Sequence, residues 1–186
     1  VEKLNFLYRQ STENYITLVA SMPPFSSFAS FTYMVENGKA VYVSGFAKTA
    51  VSMPSLGIKA HPFPSNSEVM AITDRHFSNL KEHNTEALIA DYDDNAIILT
   101  NLCEHPLEGK EDVCRYCEGL VQNASAHIDA FTDSAAKITV KEAISELSCI
   151  AFQHRSKKQC GVLTQRIRDG KIIFESLTFQ NAVPKL

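Results

Sequence analysis

The sequence predicts an α+β protein in which three helices are followed by a run of antiparallel strands. Four strand-like segments end the chain, at 137–144, 147–155, 159–168 and 171–180. Asp169-Gly170 separates the last two segments, and Asn37-Gly38 separates two earlier alternating runs. Both dipeptides favour the type I′ turn of a β-hairpin, because their residues tolerate positive φ.

The helical patterns begin the larger of two predicted units, residues 66–186. Ser67 could cap the first helix, and Thr85 could cap a second, shorter one. A β run over 96–99 follows, and Gly109-Lys110 then opens a third helix. A curved sheet wrapped around these helices would enclose a cavity.

Residues 1–65 form the other unit, an N-terminal extension. Apolar side chains within 2–20 recur near helical spacing, which predicts an N-terminal helix. The alternating residues of 28–47 predict a β-hairpin around Asn37-Gly38. Five of the seven prolines lie in this extension, and we expect 49–65 to be a proline-rich linker or long loop.

Composition excludes several classes of protein. The 186 residues are 45% hydrophobic and 21% charged, with a formal net charge of −3. These values argue against disorder and against a basic nucleic-acid footprint. No apolar run reaches the roughly 18 residues of a membrane-spanning helix, so we expect no membrane partner.

Five cysteines are an odd number, which predicts reduced thiols and a cytoplasmic protein. The chain starts at Val1 rather than Met, so we expect the natural start to be missing. A removed targeting segment stays open.

Residues 66–180 resemble the nuclear transport factor 2 (NTF2)-like superfamily, specifically its SnoaL-like branch. Three segments carry the resemblance: RHFSNLKEHNTEALIADYDDNAIILTN (75–101), PLEGKEDVCRYCEGL (106–120) and RIRDGKIIFESLTF (166–179). The resemblance implies a cone-shaped barrel of curved, largely antiparallel sheet around three helices. Its open end would hold a small apolar molecule, and the protein would be a homodimer. Residues 1–65 match nothing in the family and add a helix and a hairpin.

The ketosteroid isomerase pattern within that superfamily aligns with residues 75–109 of this chain without a gap. Its oxyanion-hole tyrosine falls on His76 and its general base on Thr100. Supporting tyrosines fall on Tyr92 and Cys117, and the protonated acid falls on Leu163. The isomerase carboxylates are therefore absent, because a threonine is too weak a base and leucine cannot donate a proton.

We predict a ligand site formed by these same five residues: His76, Tyr92, Thr100, Cys117 and Leu163. His76 would be the main catalytic group, since imidazole can act as acid, base or donor near neutral pH. Tyr92 and Thr100 would be its hydrogen-bond partners. The alternative is a half-buried histidine bonded to a backbone carbonyl.

Two further groups of polar side chains could be functional or structural. Asp93 and Asp94 could do acid–base work or bind a metal, but acidic runs are usually solvated. Four side chains of zinc-ligand type are Cys103, His105, Cys114 and Cys117. Two of these cysteines lie inside a predicted amphipathic helix, where cysteine is commonly a small core residue. We therefore predict no metal and no cofactor.

The expected function is binding of a small apolar or carbonyl-containing molecule, together with a lyase, isomerase or cyclase activity. A non-catalytic dimerisation or ligand-sequestering module is the alternative. In a third arrangement the N-terminal hairpin plugs the cone. The sequence also leaves open which face of the late strands lines the cavity.

Overall fold

The computed structural model describes residues 5–21, 28–48, 64–124, 136–154 and 159–180. These residues form three layers: helices, a six-stranded sheet and a four-stranded sheet. The helices are α1 Ser67–Lys81, α2 Thr85–Asp91 and α3 Lys110–Gln122. The four-stranded sheet contains β1 Asn5–Ser11, β2 Tyr15–Ser21, β3 Phe28–Glu36 and β4 Lys39–Lys48. The six-stranded sheet contains β5 Tyr92–Thr100, β6 Leu107–Glu108, β7 Ala136–Ile144, β8 Leu147–His154, β9 Gln159–Arg168 and β10 Lys171–Phe179.

The three predicted helices are confirmed, with starts set by local capping. Asn66 caps α1 by accepting from the backbone N–H groups of Glu68 and Val69, at 3.1 and 3.2 Å. Asn84 caps α2 in the same way. Each cap lies one residue before the expected one, because asparagine is at least as good a cap as serine or threonine. Gly109, with φ 83°, precedes α3.

The six-stranded sheet has the order β6-β5-β10-β9-β8-β7. Among the described strands, only the β5–β10 pair is parallel. The bounds of the four late strands, β7 to β10, agree with the predicted segments to within one or two residues. Register shifts interrupt β7 and β10, and such bulges bend a sheet. The predicted α+β arrangement of three helices and a curved, largely antiparallel sheet is confirmed, but within the described residues the sheet is open, with β6 and β7 at its edges.

Each face of this sheet is covered by a different layer. The interior face carries Gln165, Glu175 and Leu177 and lies against the helices; the outer face carries Phe174 and Ser176. On β8 the interior residues include Ile150 and Phe152, which answers the question left open by the sequence. Burial on both faces explains why these strands are so apolar.

The predicted N-terminal helix is wrong, because the segment forms the β1–β2 hairpin instead. Tyr15, Thr17 and Val19 are buried while Ile16 and Leu18 are only half-buried, a period of two. The apolar residues fit helical spacing as well, but alternation lets β2 cover the outer face of the larger sheet.

The hairpin predicted around Asn37-Gly38 is confirmed, with both residues at positive φ (50° and 72°). It lies on the outer face, where Ser30 shares a 2.7 Å hydrogen bond with Thr178. The plug arrangement is therefore wrong, since the whole sheet separates the hairpin from the helices. Most of the predicted linker, 49–63, lies outside the described residues.

Hydroxyl groups and one aromatic stack join the two sheets. Thr17, Thr32 and Ser176 exchange hydrogen bonds of 2.9 to 3.3 Å. Tyr15 stacks on Phe174 with ring centroids 3.8 Å apart. These hydrogen bonds satisfy hydroxyls that would otherwise be costly to bury.

Gly161 is required where β9 passes beneath the Phe152 ring. A Cβ at this position would lie 2.2 Å from the ring and 2.8 Å from the Thr178 carbonyl oxygen. We expect Gly161→Ala to lower the free energy of unfolding by about 1–3 kcal/mol, because backbone has to move. Urea unfolding measures the loss. Gly45→Ala is the control, since its Cβ would meet only the side chain of Phe31, which can rotate. Equal losses in both variants would contradict this explanation.

Candidate functional site

Six buried polar side chains meet between the helices and the interior face, and none is more than 5% exposed. We call them the polar cluster: His76, Asp91, Tyr92, Tyr116, Gln165 and Glu175. They come from α1, α2, β5, α3, β9 and β10 respectively. Every layer that faces the interior therefore contributes to the cluster.

Glu175 is the main acceptor of the polar cluster. Its Oε2 accepts from the Tyr92 hydroxyl and the Gln165 amide, both at 2.8 Å. Its Oε1 accepts from the Tyr116 hydroxyl at 3.0 Å. Gln165 is its direct neighbour across the β9–β10 ladder. Three donors on one carboxylate provide the hydrogen bonds that a buried charge requires.

His76 lies between two carboxylates. Its Nδ1 is 3.2 Å from Asp91 Oδ2, and its Nε2 is 3.5 Å from Glu175 Oε2. The rings of His76 and Tyr92 meet edge to face, with their centroids 5.3 Å apart. Nδ1 forms a hydrogen bond with Asp91 and Nε2 is in close contact with Glu175, so both ring nitrogens face a carboxylate.

Asp91 is held as an anion by donors from α1. Arg75 Nε and Asn79 Nδ2 donate to its two oxygens at 2.8 and 3.0 Å. Burial by itself raises the pKa of Asp91, but hydrogen bonds and charge from His76, Arg75 and Asn79 outweigh it and lower that pKa. The cluster thus places two carboxylates beside the Arg75 guanidinium and the His76 imidazole.

The two tyrosines stay protonated and act as donors. Burial raises the pKa of Tyr92 and of Tyr116 well above the ordinary value, and the charge of Glu175 raises both further. Among the described residues, none donates to Gln165 Oε1, although this atom is buried. The cluster therefore retains one acceptor for a further hydrogen-bond donor.

A pocket of about 170 Å³ reaches Tyr92 from the surface. It lies where α2 ends, β5 and β10 begin and α3 begins. Its lining residues are Ile89, Ala90, Tyr92, Asp93, Asp94, Lys110, Val113 and Lys171. Asp94 forms a 3.1 Å ion pair with Lys110 at the rim, and Asp93 accepts from the Asn95 backbone N–H at 2.8 Å. Tyr92 connects this pocket to the polar cluster.

The structure places the five predicted ligand-site residues differently. His76 and Tyr92 lie in the polar cluster, as expected of a shared site. Cys117 and Leu163 are buried in the adjoining apolar core, and burial raises the pKa of the Cys117 thiol. Thr100 lies at the opposite end of β5, where its hydroxyl accepts from the Leu102 backbone N–H.

Two predictions about the partners of His76 are therefore wrong. Thr100 lies at the other end of a nine-residue strand from Tyr92, which corresponds to roughly 27 Å along an extended chain. Tyr92 contacts His76 through its ring, and its hydroxyl donates a hydrogen bond to Glu175 instead. The true partners are carboxylates, which the sequence comparison did not identify.

Sequence reasoning missed four members of the cluster: Asp91, Tyr116, Gln165 and Glu175. One signal was available for Glu175, because a single acid stands in the otherwise uncharged run IIFESLTF. A carboxylate at an interior position of a central strand is rare unless it is paired. The hydrogen-bond partners of Glu175, however, lie between 10 and 83 positions away from it in the sequence.

The cysteines provide no metal centre in the described part of the chain. No group of three or more histidine, cysteine, aspartate or glutamate side chains is arranged there to hold a metal ion. None of the five cysteines forms a disulfide, and Cys103, Cys117 and Cys160 are buried. None of the described helices is long and apolar enough to cross a membrane.

Together, the fold and the cluster define a small α+β protein with a buried group of acidic and basic side chains. No protein-family model matches the sequence, and no curated protein is similar to it. Similar solved structures include an NTF2-like protein of unknown function from Mesorhizobium loti (TM-score 0.48, 14% identity, 67% of this chain and 100% of that chain).

Two others carry names for a reaction. A ketosteroid isomerase-like protein from Kribbella flavida has a TM-score of 0.44 at 12% identity, over 64% of this chain and 82% of that chain. A polyketide cyclase-like protein from Sinorhizobium meliloti has a TM-score of 0.46 at 14% identity, over 57% and 93%. These neighbours leave the reaction to be argued from the residues.

The lowered pKa of Asp91 predicts a pH dependence. A carboxylate whose pKa is lower in the folded protein adds stability above its unfolded pKa, and that stability disappears as pH falls through the folded pKa. Asp91→Asn is therefore expected to be less stable than wild type at about pH 7, with the difference shrinking towards about pH 2. Urea unfolding at both pH values measures it. Asp94→Asn is the control at an exposed position, and its stability should differ little from wild type at either pH. A stability difference between Asp91→Asn and wild type that stays the same at both pH values would contradict the prediction.

Proposed function

We propose that the protein binds a small, largely apolar molecule with a carbonyl or hydroxyl oxygen and moves a proton on it, in a lyase, isomerase or cyclase reaction. The observation that carries this proposal is His76, buried between Asp91 and Glu175. Burying two carboxylates and an imidazole is costly, and perturbed buried acids and bases are concentrated at functional sites.

The pocket beside Tyr92 supplies the entry in this proposal. Ile89, Val113 and the Tyr92 ring would contact the apolar part of the molecule. A ligand oxygen that accepts a hydrogen bond from the Tyr92 hydroxyl would replace Glu175 as the acceptor of that hydroxyl. Glu175 would then keep Tyr116, Gln165 and His76 as partners, so the exchange leaves no buried charge unpaired.

The chemical roles of Tyr92 and His76 follow from the surroundings of each side chain. Tyr92, with its raised pKa, donates a hydrogen bond to the developing negative charge on the ligand oxygen without losing its proton. His76 with Glu175 is the pair able to give or take a proton, since imidazole has a proton on one or both nitrogens near neutral pH. Asp91 orients the ring through Nδ1.

Two conservative substitutions test the proposal. Tyr92→Phe and Tyr116→Phe each remove one hydroxyl that donates to Glu175, so both should cost a similar amount of stability, about 1.5–3 kcal/mol. Only Tyr92 lines the pocket. A thermal-shift screen of small carbonyl and terpenoid-like compounds should therefore find ligands that stabilise wild type and Tyr116→Phe but not Tyr92→Phe. A response retained in both variants, or lost in both, would contradict a ligand site at Tyr92.

A second candidate is a non-catalytic dimerisation or ligand-sequestering module. It is favoured by the packing around the cluster, where Tyr116, Cys117 and Leu163 fill the interior and each oxygen of Glu175 already has a donor. In this case the cluster fastens the helices to the sheet. His76→Gln would then change stability but no turnover or ligand response.

A further inference from the structure

The four-stranded sheet has a second face that points away from the rest of the molecule, and we call it the exposed face. Register places Arg9, Leu18 and Phe31 in one row across it, and Ile16, Tyr33 and Val43 in the next. The solvent face of an antiparallel sheet is normally polar. This one is apolar, with Phe6 63% and Val43 50% exposed.

A groove of about 330 Å³ crosses the exposed face. Its lining residues are Phe6, Arg9, Ile16, Leu18 and Tyr33. The volume lies at the lower end of the range for small-molecule sites, and four of the five side chains are apolar or aromatic. Exposed apolar surface that is concave commonly marks a binding site.

Arg9 supplies the only charge among the lining residues of this groove. Within the described ranges, no carboxylate forms an ion pair with its guanidinium, whereas Arg75, Arg115, Arg166 and Arg168 each have one. A guanidinium presents a planar fork of donors that matches a carboxylate. The groove therefore combines one cationic end with an apolar floor.

We propose that this groove binds an amphipathic carboxylate, such as a medium-chain fatty acid. The carboxylate pairs with Arg9, and the hydrocarbon chain lies along Ile16 and Leu18 towards Tyr33. The site lies on the opposite side of the six-stranded sheet from the polar cluster, so it is independent of the function proposed above.

Isothermal titration of the full chain with decanoate, below its micelle-forming concentration, tests the proposal. Decanol is the matched neutral ligand. We expect decanoate to bind wild type about three- to tenfold more tightly than decanol. The lower value corresponds to a solvent-exposed charged hydrogen bond and the higher value to a well-formed one. Arg9→Gln should remove this preference. Lys39→Gln, which changes another exposed cation of the same sheet outside the groove, should keep it.

Leu18→Gln should weaken both ligands, because it removes the apolar floor while keeping Arg9. Equal affinity for decanoate and decanol, unchanged binding in Arg9→Gln, or no binding of either ligand would overturn the proposal. Self-association that Leu18→Gln abolishes, measured by sedimentation velocity, would assign the exposed face to a second copy of this chain instead. If the protein sediments together with phosphatidylglycerol vesicles but does not bind decanoate, the exposed face would be assigned to a membrane surface.

Discussion

Replacing Glu175 with alanine is expected to lower the free energy of unfolding by about 3–5 kcal/mol, the cost of breaking a buried ion pair. The substitution leaves the hydroxyls of Tyr92 and Tyr116, the amide of Gln165 and one nitrogen of His76 without their shared acceptor. Buried donors that lose a charged partner pay the full cost of desolvation. Urea unfolding at neutral pH measures the change.

Glu175→Gln should fall between alanine and wild type. Its amide oxygen can take the place of Oε2 and accept from Tyr92 and Gln165, but its NH₂ group then faces the hydroxyl of Tyr116, and the negative charge beside His76 is lost. Glu108→Ala is the surface control and should change stability by no more than about 0.5 kcal/mol, because Glu108 is exposed on β6. A loss below about 1 kcal/mol for Glu175→Ala would mean that the cluster is not assembled as described.

Phe174→Ala is the second substitution with a large expected effect, about 3–5 kcal/mol. Phe174 is 1% exposed and packs in an apolar cluster with Tyr15 and Leu99, where its ring stacks on Tyr15. Removing it leaves a cavity between the two sheets. The loss should be accompanied by faster amide exchange in β2 and β3, because the four-stranded sheet loses its aromatic anchor.

Phe6→Ala is the matched control for this prediction. Phe6 belongs to the same four-stranded sheet but is 63% exposed, so its removal should cost little stability. Equal effects of Phe6→Ala and Phe174→Ala, or unchanged exchange in β2 and β3, would show that the two sheets do not depend on each other as their packing implies.

Local chemistry accounts for the elements that the sequence predicts well. Asn37-Gly38 and Asp169-Gly170 each place two residues at positive φ, and both form the expected turns. Helix starts are fixed by neighbouring side chains such as Asn66. These features depend on contacts within a few residues, so one sequence is sufficient to find them.

Long-range packing accounts for what the sequence does not predict. The apolar residues of 2–20 suit either a helix or a strand, and the choice is made by contacts such as Thr17 with Ser176, which are 159 positions apart. Nothing in the local pattern indicates that a larger sheet is available to cover. The error in the N-terminal helix therefore follows from a missing tertiary partner.

The candidate site was predicted only in part for the same reason. The family resemblance identified His76 and Tyr92 by position, but it supplied carboxylate positions that this chain fills with Thr100 and Leu163. The carboxylates that do contact His76 come from the end of α2 and from β10. Their convergence depends on how the helices pack on the sheet, which spacing along the chain does not reveal.

The central claim is that His76 is buried between two carboxylates, with Nδ1 hydrogen-bonded to Asp91 and Nε2 facing Glu175. NMR spectroscopy of the protein labelled with ¹⁵N-histidine measures this most directly. We predict that Nδ1 of His76 carries a proton, that this proton exchanges slowly with water because the ring is buried and bonded to Asp91, and that Asp91→Asn speeds the exchange. An Nδ1 without a proton, or an Nδ1 proton in fast exchange with water, would contradict the account.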